Sequence, residues 1–94
     1  MQADKVFEAL ASSQRRQILA YLSKTEMTTS DLAARFEMTT PSMSRHLSVL
    51  ENAGLVTSKL ELSSDGKALN YFEVTSFNIA LTPAAIVKAV KTLN

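Results

Sequence analysis

The sequence contains no cysteine and only one histidine, His46. Without cysteine there can be no disulfide, thiolate nucleophile or thiolate-bound metal, and one histidine cannot form a two-histidine zinc site. The longest uninterrupted apolar run is Ile18–Leu22, far shorter than the roughly 18–20 residues of a membrane-spanning helix. Asp4, Lys5 and Glu8 leave no room for the apolar core of a signal peptide. We therefore predict a soluble cytoplasmic protein without a metal, a cofactor or membrane insertion.

The sequence also has almost no excess of charge of either sign, because ten basic and nine acidic residues give a net charge of +1. Any binding to a polyanion must then come from a local patch and not from the overall charge. With 94 residues and 46% hydrophobic composition, the chain is long enough for one small core and too short for two. We predict a single domain over residues 1–94.

Helical spacing of apolar residues predicts four helices in the first part of the chain. The first covers residues 3–11, and Ser12 or Ser13 can cap the second, which ends at Leu22. Thr28 and Asp31 form a capping-box pattern for the third helix. Thr39 or Thr40 precedes Pro41 at the start of the fourth, and Gly54 suits its left-handed end.

The pattern then changes from helical to alternating. Residues 56–62 alternate, Ser64-Asp65-Gly66 predicts a reversal, and Leu69–Val74 suits a return strand. Pro83 begins a last helix over residues 83–93. We therefore predict a mainly α protein with a two-stranded β-hairpin and the element order α-α-α-α-β-β-α.

The third and fourth helices are separated only by a short turn, which is typical of a helix-turn-helix. Residues 38–50 contain no acidic residue, whereas solvated helix faces usually carry Glu and Lys. A helix that enters the DNA major groove needs a face without acidic residues, with short polar groups and an arginine that can bind guanine. This composition favours groove reading over an ordinary solvated face.

The candidate contacts follow from this placement. We predict base contacts by five residues of the fourth helix: Thr40, Ser42, Ser44, Arg45 and His46. We predict backbone contacts by cations near the second helix and on the hairpin, and by the capping threonine: Arg15, Arg16, Thr39, Lys59 and Lys67. The alternatives are a solvated Arg45 or one paired with Glu51, and plain solvated arginines at 15 and 16.

Two other classes of protein are alternatives to a DNA-binding protein. Ser42 and His46 share a helix face, but an exposed helix without an oxyanion loop has no pocket for catalysis. We therefore predict that the protein is not an enzyme. A protein-interaction module that does not bind DNA is the second alternative.

Several segments together resemble the ArsR/SmtB-type winged helix-turn-helix repressors. Met38–Leu50 and the following Glu-Asn-Ala-Gly-Leu-Val are similar to the recognition helix of that family. Ala9–Leu19 resembles its AL(A/S)DPTRRxIL opening, with Ser12-Ser13 in place of Asp-Pro, and Asn70–Val74 resembles the second wing strand. The resemblance covers about residues 3–75 and implies a dimeric repressor of double-stranded DNA with an inverted-repeat operator.

The metal sites of that family are missing from this sequence. Thr29 and Ser30 stand where thiols occur in the metal-binding box, and residues 84–94 contain no His, Asp or Glu. In this respect the chain resembles the small, metal-independent SdpR-like autorepressors. This resemblance implies control by a protein partner, which could be a membrane protein. A metal-responsive repressor with an atypical site is the alternative.

The terminal helices carry more apolar surface than one small domain needs, which is typical of an interface. The family resemblance also implies a homodimer formed through helices 3–11 and 83–93. The predicted interface residues are Val6, Phe7, Leu10, Ile86, Val87, Val90 and Leu93.

Overall fold

Within residues 3–77, four helices form at the segments with helical spacing of apolar residues. The computed structural model describes residues 3–77 and 83–84. The helices are α1 (Ala3–Leu10), α2 (Ser13–Leu22), α3 (Thr29–Arg35) and α4 (Thr40–Asn52). Their order and approximate bounds confirm the sequence prediction.

A hydroxyl side chain caps the N-terminus of three of these helices. Ser12 accepts from the backbone N–H of Arg15, Thr28 from that of Asp31, and Thr39 from that of Ser42. Each cap satisfies one of the first-turn donors that a helix leaves without a partner. The predicted capping box is therefore confirmed for Thr28 only. Among the described residues, the side chain of Asp31 does not accept a hydrogen bond from the backbone N–H of Thr28.

The third and fourth helices end with a residue in the left-handed region. Gly54 (φ 78°) follows α4, as predicted, and Glu37 (φ 55°) follows α3. The next backbone N–H then bonds back into the helix: Met38 donates to the carbonyl of Ala33 at 2.8 Å, and Leu55 to that of Leu50 at 3.0 Å. This arrangement satisfies the last helical carbonyls and turns the chain sharply.

The hairpin consists of β2 (Val56–Leu62) and β3 (Ala68–Val74), which pair antiparallel. Gly66 (φ 84°) lies in the predicted turn between them. A third strand, β1 (Met27–Thr28), pairs with the other edge of β3, so the sheet order is β1-β3-β2. The predicted two-stranded hairpin is confirmed, and β1 adds a third strand that was not predicted. A strand of two residues is too short to show alternation.

The core lies where the helices meet the base of the sheet. Each helix from α2 to α4 turns an apolar stripe into this core, with Leu19 and Phe36 partly buried at its margin. The largest fully buried side chains are Ile18, Leu32, Met43, Leu47, Leu50, Leu55 and Val56. Phe72 of β3 closes this core from the sheet side.

The apolar face of β2 continues beyond the core. Val56 at its base is 1% exposed, whereas Leu60 and Leu62 are 70% and 76% exposed. We call β2, β3 and their turn the wing. Its base is part of the core, and its tip stands in solvent.

The predicted interface between copies is only partly described. Val6 is buried in the core of the single chain, so it is not available to a partner, whereas Phe7 is 39% exposed and Leu10 is half-buried. Pro83 and Ala84 are helical and exposed. The other predicted interface residues lie outside the described residues: Ile86, Val87, Val90 and Leu93.

Candidate nucleic-acid interface

The outward face of α4 is polar, and its part from Thr40 to Leu50, which we call the acid-free face of α4, carries no acidic residue; Glu51 lies in the last turn, beyond it. The apolar stripe of the helix is turned into the core, which leaves the opposite side to solvent. Every residue predicted to contact bases lies on this accessible side, either exposed or half-buried. They are Thr40, Ser42, Ser44, Arg45 and His46.

A hydrogen-bonded chain organises the first two turns of this face. The hydroxyl of Thr39 donates to Oγ of Ser42 at 3.0 Å, and Nη2 of Arg45 donates to the same oxygen at 3.3 Å. Thr39 also accepts from the backbone N–H of Ser42 at 3.2 Å. The guanidinium of Arg45 is thus held beside the helix N-terminus, with most of its donors unused by these contacts.

The alternative partner of Arg45 is engaged elsewhere. Glu51 accepts from the hydroxyl of Ser58 at 2.9 Å, across to β2. Among the residues that the structure describes, Arg45 forms no salt bridge. Its charge is therefore accessible to an anion, and two of its donors can bridge acceptors such as guanine O6 and N7.

His46 is half-buried and lies beside two cations. Its Nδ1 is 3.4 Å from Nη1 of Arg15, on α2. Burial, then the positive charges of Arg15 and Arg45, lower the pKa of His46 below its ordinary value of 6.5. The imidazole is therefore neutral at pH 7.

Arg15 and Arg16 both bind the C-terminal end of α1. Arg15 donates from Nε to the carbonyl of Ala9 at 2.9 Å and from Nη2 to that of Glu8 at 2.8 Å. Arg16 donates to the carbonyl of Leu10. Cations near the end of a helix commonly satisfy its last carbonyls. This role was not predicted from the sequence, although the short link between α1 and α2 already places both arginines near those carbonyls.

The wing offers fewer accessible cations than its composition suggests. Lys59 pairs with Glu26 at 2.8 Å and with Glu61 at 3.5 Å. The hydrogen bond to Glu26 is the main reason that the pKa of Lys59 is raised. The backbone N–H of Lys67 bonds within the turn, to Oγ of Ser63 at 3.1 Å. Its side chain forms no salt bridge among the described residues.

Asp65 brings a negative charge to the tip of the wing. Its carboxylate accepts from the hydroxyl of Ser63, and that bond is the main reason that its pKa is lowered. The carboxylate is therefore ionised at neutral pH and lies two residues from Lys67. Electrostatic attraction to DNA is weaker here than at the acid-free face of α4.

Comparison with known proteins gives the family of this chain. The family described as bacterial regulatory protein, arsR family, matches residues 12–58, which include α2, α3, α4 and the start of β2. The chain belongs to this family. It is therefore a transcriptional regulator and not an enzyme.

Two relatives from Bacillus subtilis (strain 168) support this assignment. An uncharacterized HTH-type transcriptional regulator, YuzN, is 46% identical over 60% of this chain and 68% of its own length. The transcriptional repressor SdpR is 37% identical over 57% of this chain and 60% of its own length.

Solved structures confirm the predicted winged helix-turn-helix. HlyU from Vibrio cholerae N16961 superposes with a TM-score of 0.69 at 25% identity, over 98% of this chain and 90% of that one. An ArsR-like transcriptional regulator from Rhodococcus sp. RHA1 gives a TM-score of 0.66 at 25% identity, over 98% and 73%. In the part that the structure describes, no helix has the length and apolarity to cross a bilayer.

Proposed function

We propose that this chain is a sequence-specific repressor that binds double-stranded DNA as a homodimer and reads bases with α4. The observation that carries the proposal is the acid-free outward face of α4, on which Thr39, Ser42 and Arg45 form one hydrogen-bonded cluster. A groove-reading helix needs accessible donors and no carboxylate near the phosphates. The relative SdpR is itself named a transcriptional repressor.

Within this proposal the contacts divide into two kinds. Base contacts are assigned to the exposed or half-buried residues of α4: Thr40, Ser42, Ser44, Arg45 and His46. Backbone contacts are assigned to Thr39 and to three cations of α2 and the wing, which are Arg16, Lys59 and Lys67, whereas the guanidinium of Arg15 is engaged by α1 and His46. For Lys59, contact with a phosphate competes with its ion pair to Glu26.

The proposed dimer uses α1 and the C-terminal segment. Phe7 stays exposed on α1 although the core of the chain is closed without it. The segment 86–93 repeats large aliphatic residues at helical spacing. A two-fold dimer would place two α4 helices about 34 Å apart on one face of DNA, which matches an inverted-repeat operator.

We also propose that DNA binding is not controlled by a metal. The chain has no cysteine, and Thr29 and Ser30 cannot supply soft ligands. Zn²⁺ or Cd²⁺ at micromolar concentration should then leave DNA affinity unchanged, and a reproducible metal-dependent shift would contradict this. We propose that a protein partner relieves repression instead, acting on the regulator in the cytoplasm.

Selection from a random pool of duplexes tests DNA reading directly. We expect the purified chain to enrich an imperfect inverted repeat, and a mobility-shift titration to show binding that salt weakens steeply. Two subunits would neutralise roughly 4–8 phosphates, which gives a log–log slope near −4 to −7. No enrichment, or affinity unchanged by salt, would instead favour a protein-interaction module.

An arginine pair provides the matched control for this experiment. Arg45→Ala should abolish enrichment of the preferred base at one position in each half-site. Arg35→Ala removes an arginine of α3 that lies over the ring of Tyr21 and should retain the selected sequence. Equal losses in the two variants would contradict base reading by α4.

The assembly is tested by light scattering on variants of exposed apolar residues. Phe7→Asp should convert dimers to monomers and weaken binding to the selected duplex. Leu62→Asp places the same charge on the wing, where Leu62 is 76% exposed, and this variant should remain dimeric. A Phe7→Asp protein that stays dimeric would place the interface elsewhere.

A further inference from the structure

We propose that Arg15 is a positioning residue, which acts on DNA recognition through His46 and not by its own contact with a phosphate. The DNA part of this inference rests on the proposed function, whereas the effect on the imidazole belongs to the free protein. One guanidinium reaches three partners: the carbonyls of Ala9 at 2.9 Å and Glu8 at 2.8 Å, and Nδ1 of His46 at 3.4 Å. Arg15 thus connects the end of α1 to the middle of α4.

The chemistry of the two side chains determines where the imidazole proton lies. A guanidinium has only donors, so Nδ1 of His46 must be the acceptor in this contact. The positive charge beside Nδ1 also disfavours a proton on that nitrogen. The neutral ring therefore carries its proton on Nε2, which becomes its only donor.

A fixed tautomer gives His46 a defined role on DNA. The ring is half-buried, so part of it remains accessible on the outward face of α4. A single N–H donor suits a phosphate oxygen, or N7 or O6 of a purine. The opposite tautomer would present an acceptor at Nε2, which those groups cannot satisfy.

The hydrogen bonds between Arg15 and α1 disfavour a direct contact between Arg15 and a phosphate. Two of its nitrogens satisfy carbonyls at the end of α1, and a third faces His46. Losing these bonds to reach a phosphate would leave helix-end carbonyls without a partner. Arg16 caps the same helix at Leu10 but makes no contact with His46 among the described residues. It is therefore the matched control.

The first experiment measures His46 in the free protein. The chain has one histidine, so selective ¹⁵N-histidine labelling yields one pair of ring nitrogen resonances. We expect the wild-type pair to show the Nε2–H tautomer at pH 7.5. Arg15→Ala should mix the tautomers and move the pKa of His46 up toward 6.5, Arg15→Lys should restore part of both effects, and Arg16→Ala should change neither.

Each result of this experiment bears on the inference. A wild-type spectrum with the proton on Nδ1 or with mixed tautomers would overturn it, even if Arg15→Ala fails to fold. Unchanged resonances and pKa in folded Arg15→Ala would also overturn it. A change of equal size in Arg16→Ala would show that capping of α1, and not the contact with His46, is responsible.

The second experiment is a double-mutant cycle on the duplex selected from the random pool. Arg15→Ala should weaken binding about tenfold in the wild-type background but less than about twofold in His46→Ala, because coupled residues are not additive. Equal losses in both backgrounds would indicate a direct phosphate contact and overturn the positioning role. If the wild-type chain binds no duplex, the proposed function fails, while the ring spectra still decide the effect of Arg15 on His46.

Discussion

Helix α4 and the wing are the two parts of this molecule for which we propose contacts with DNA, and they are built differently. Met43, Leu47 and Leu50 of α4 are fully buried, and Arg45 on its outward face is unpaired among the described charges. On the wing, Leu60 and Leu62 are exposed, and Lys59 is paired with Glu26. The helix thus combines core packing with an accessible polar surface.

This difference indicates how the two elements divide the work of binding. The rigid, acid-free face of α4 can discriminate between bases because its donors are positioned by the helix. The wing carries Glu61, Asp65 and Glu73 near its two lysines. We therefore expect it to add a modest, sequence-independent contribution.

The largest expected effect is on stability, and it is tested by replacing one leucine in each element with alanine. Leu47→Ala should lower the free energy of unfolding by about 2–5 kcal/mol, because Leu47 is 1% exposed and its removal leaves a cavity. Leu62→Ala, at 76% exposure, should change it by less than about 0.5 kcal/mol. Urea denaturation measures both, and similar losses would show that the wing tip is packed in solution.

The next effect is on DNA binding. Arg45→Ala should cost about 1–3 kcal/mol at one base pair per half-site and relax the preference there. Lys67→Ala should weaken preferred and unrelated duplexes alike, and reduce the salt slope by about one per contact. Mobility-shift titrations against both kinds of duplex measure this, and identical profiles would contradict the division between helix and wing.

A smaller effect on stability is expected from substitutions in two turns, one before α4 and one in the wing. Glu37→Gly should stabilise the protein by roughly 0.5–1 kcal/mol, since a side chain is strained at φ 55°. Gly66→Ala should destabilise it by about 1 kcal/mol, because φ is 84° although no atom lies within 4 Å of an added Cβ. Thermal unfolding of both variants provides the measurement. A stabilising Gly66→Ala would contradict the conformational argument.

The smallest effect is a pH dependence at α4. The folded protein holds the His46 proton less tightly than the unfolded chain does, so the unfolded state binds more protons below about pH 6.5. Stability should be constant above that pH and fall as pH decreases through the lowered pKa. His46→Gln should remove this decrease between pH 6.5 and 5, as measured by urea denaturation. A decrease of the same size in the variant would assign it to other groups.

Local patterns in the sequence were sufficient for most of the fold and for the candidate interface. The caps at Ser12, Thr28 and Thr39, the left-handed Gly54 and the inward stripe of α4 depend on residues within one or two turns of each other. The acid-free face of α4 is likewise a property of consecutive residues. Such short-range relations are encoded directly in residue order.

Other features arose only from the packing of distant segments. The pairing of β1 with β3, the exposure of Leu60 and Leu62, and the Lys59–Glu26 ion pair could not be inferred from spacing. The same is true of the contact between Arg15 and His46, which are 31 residues apart. Composition and spacing determined that α4 carries a polar, acid-free face beside a helix-turn-helix. Tertiary structure alone decided which cations are already engaged, because a side chain's partners depend on how separate elements meet in space.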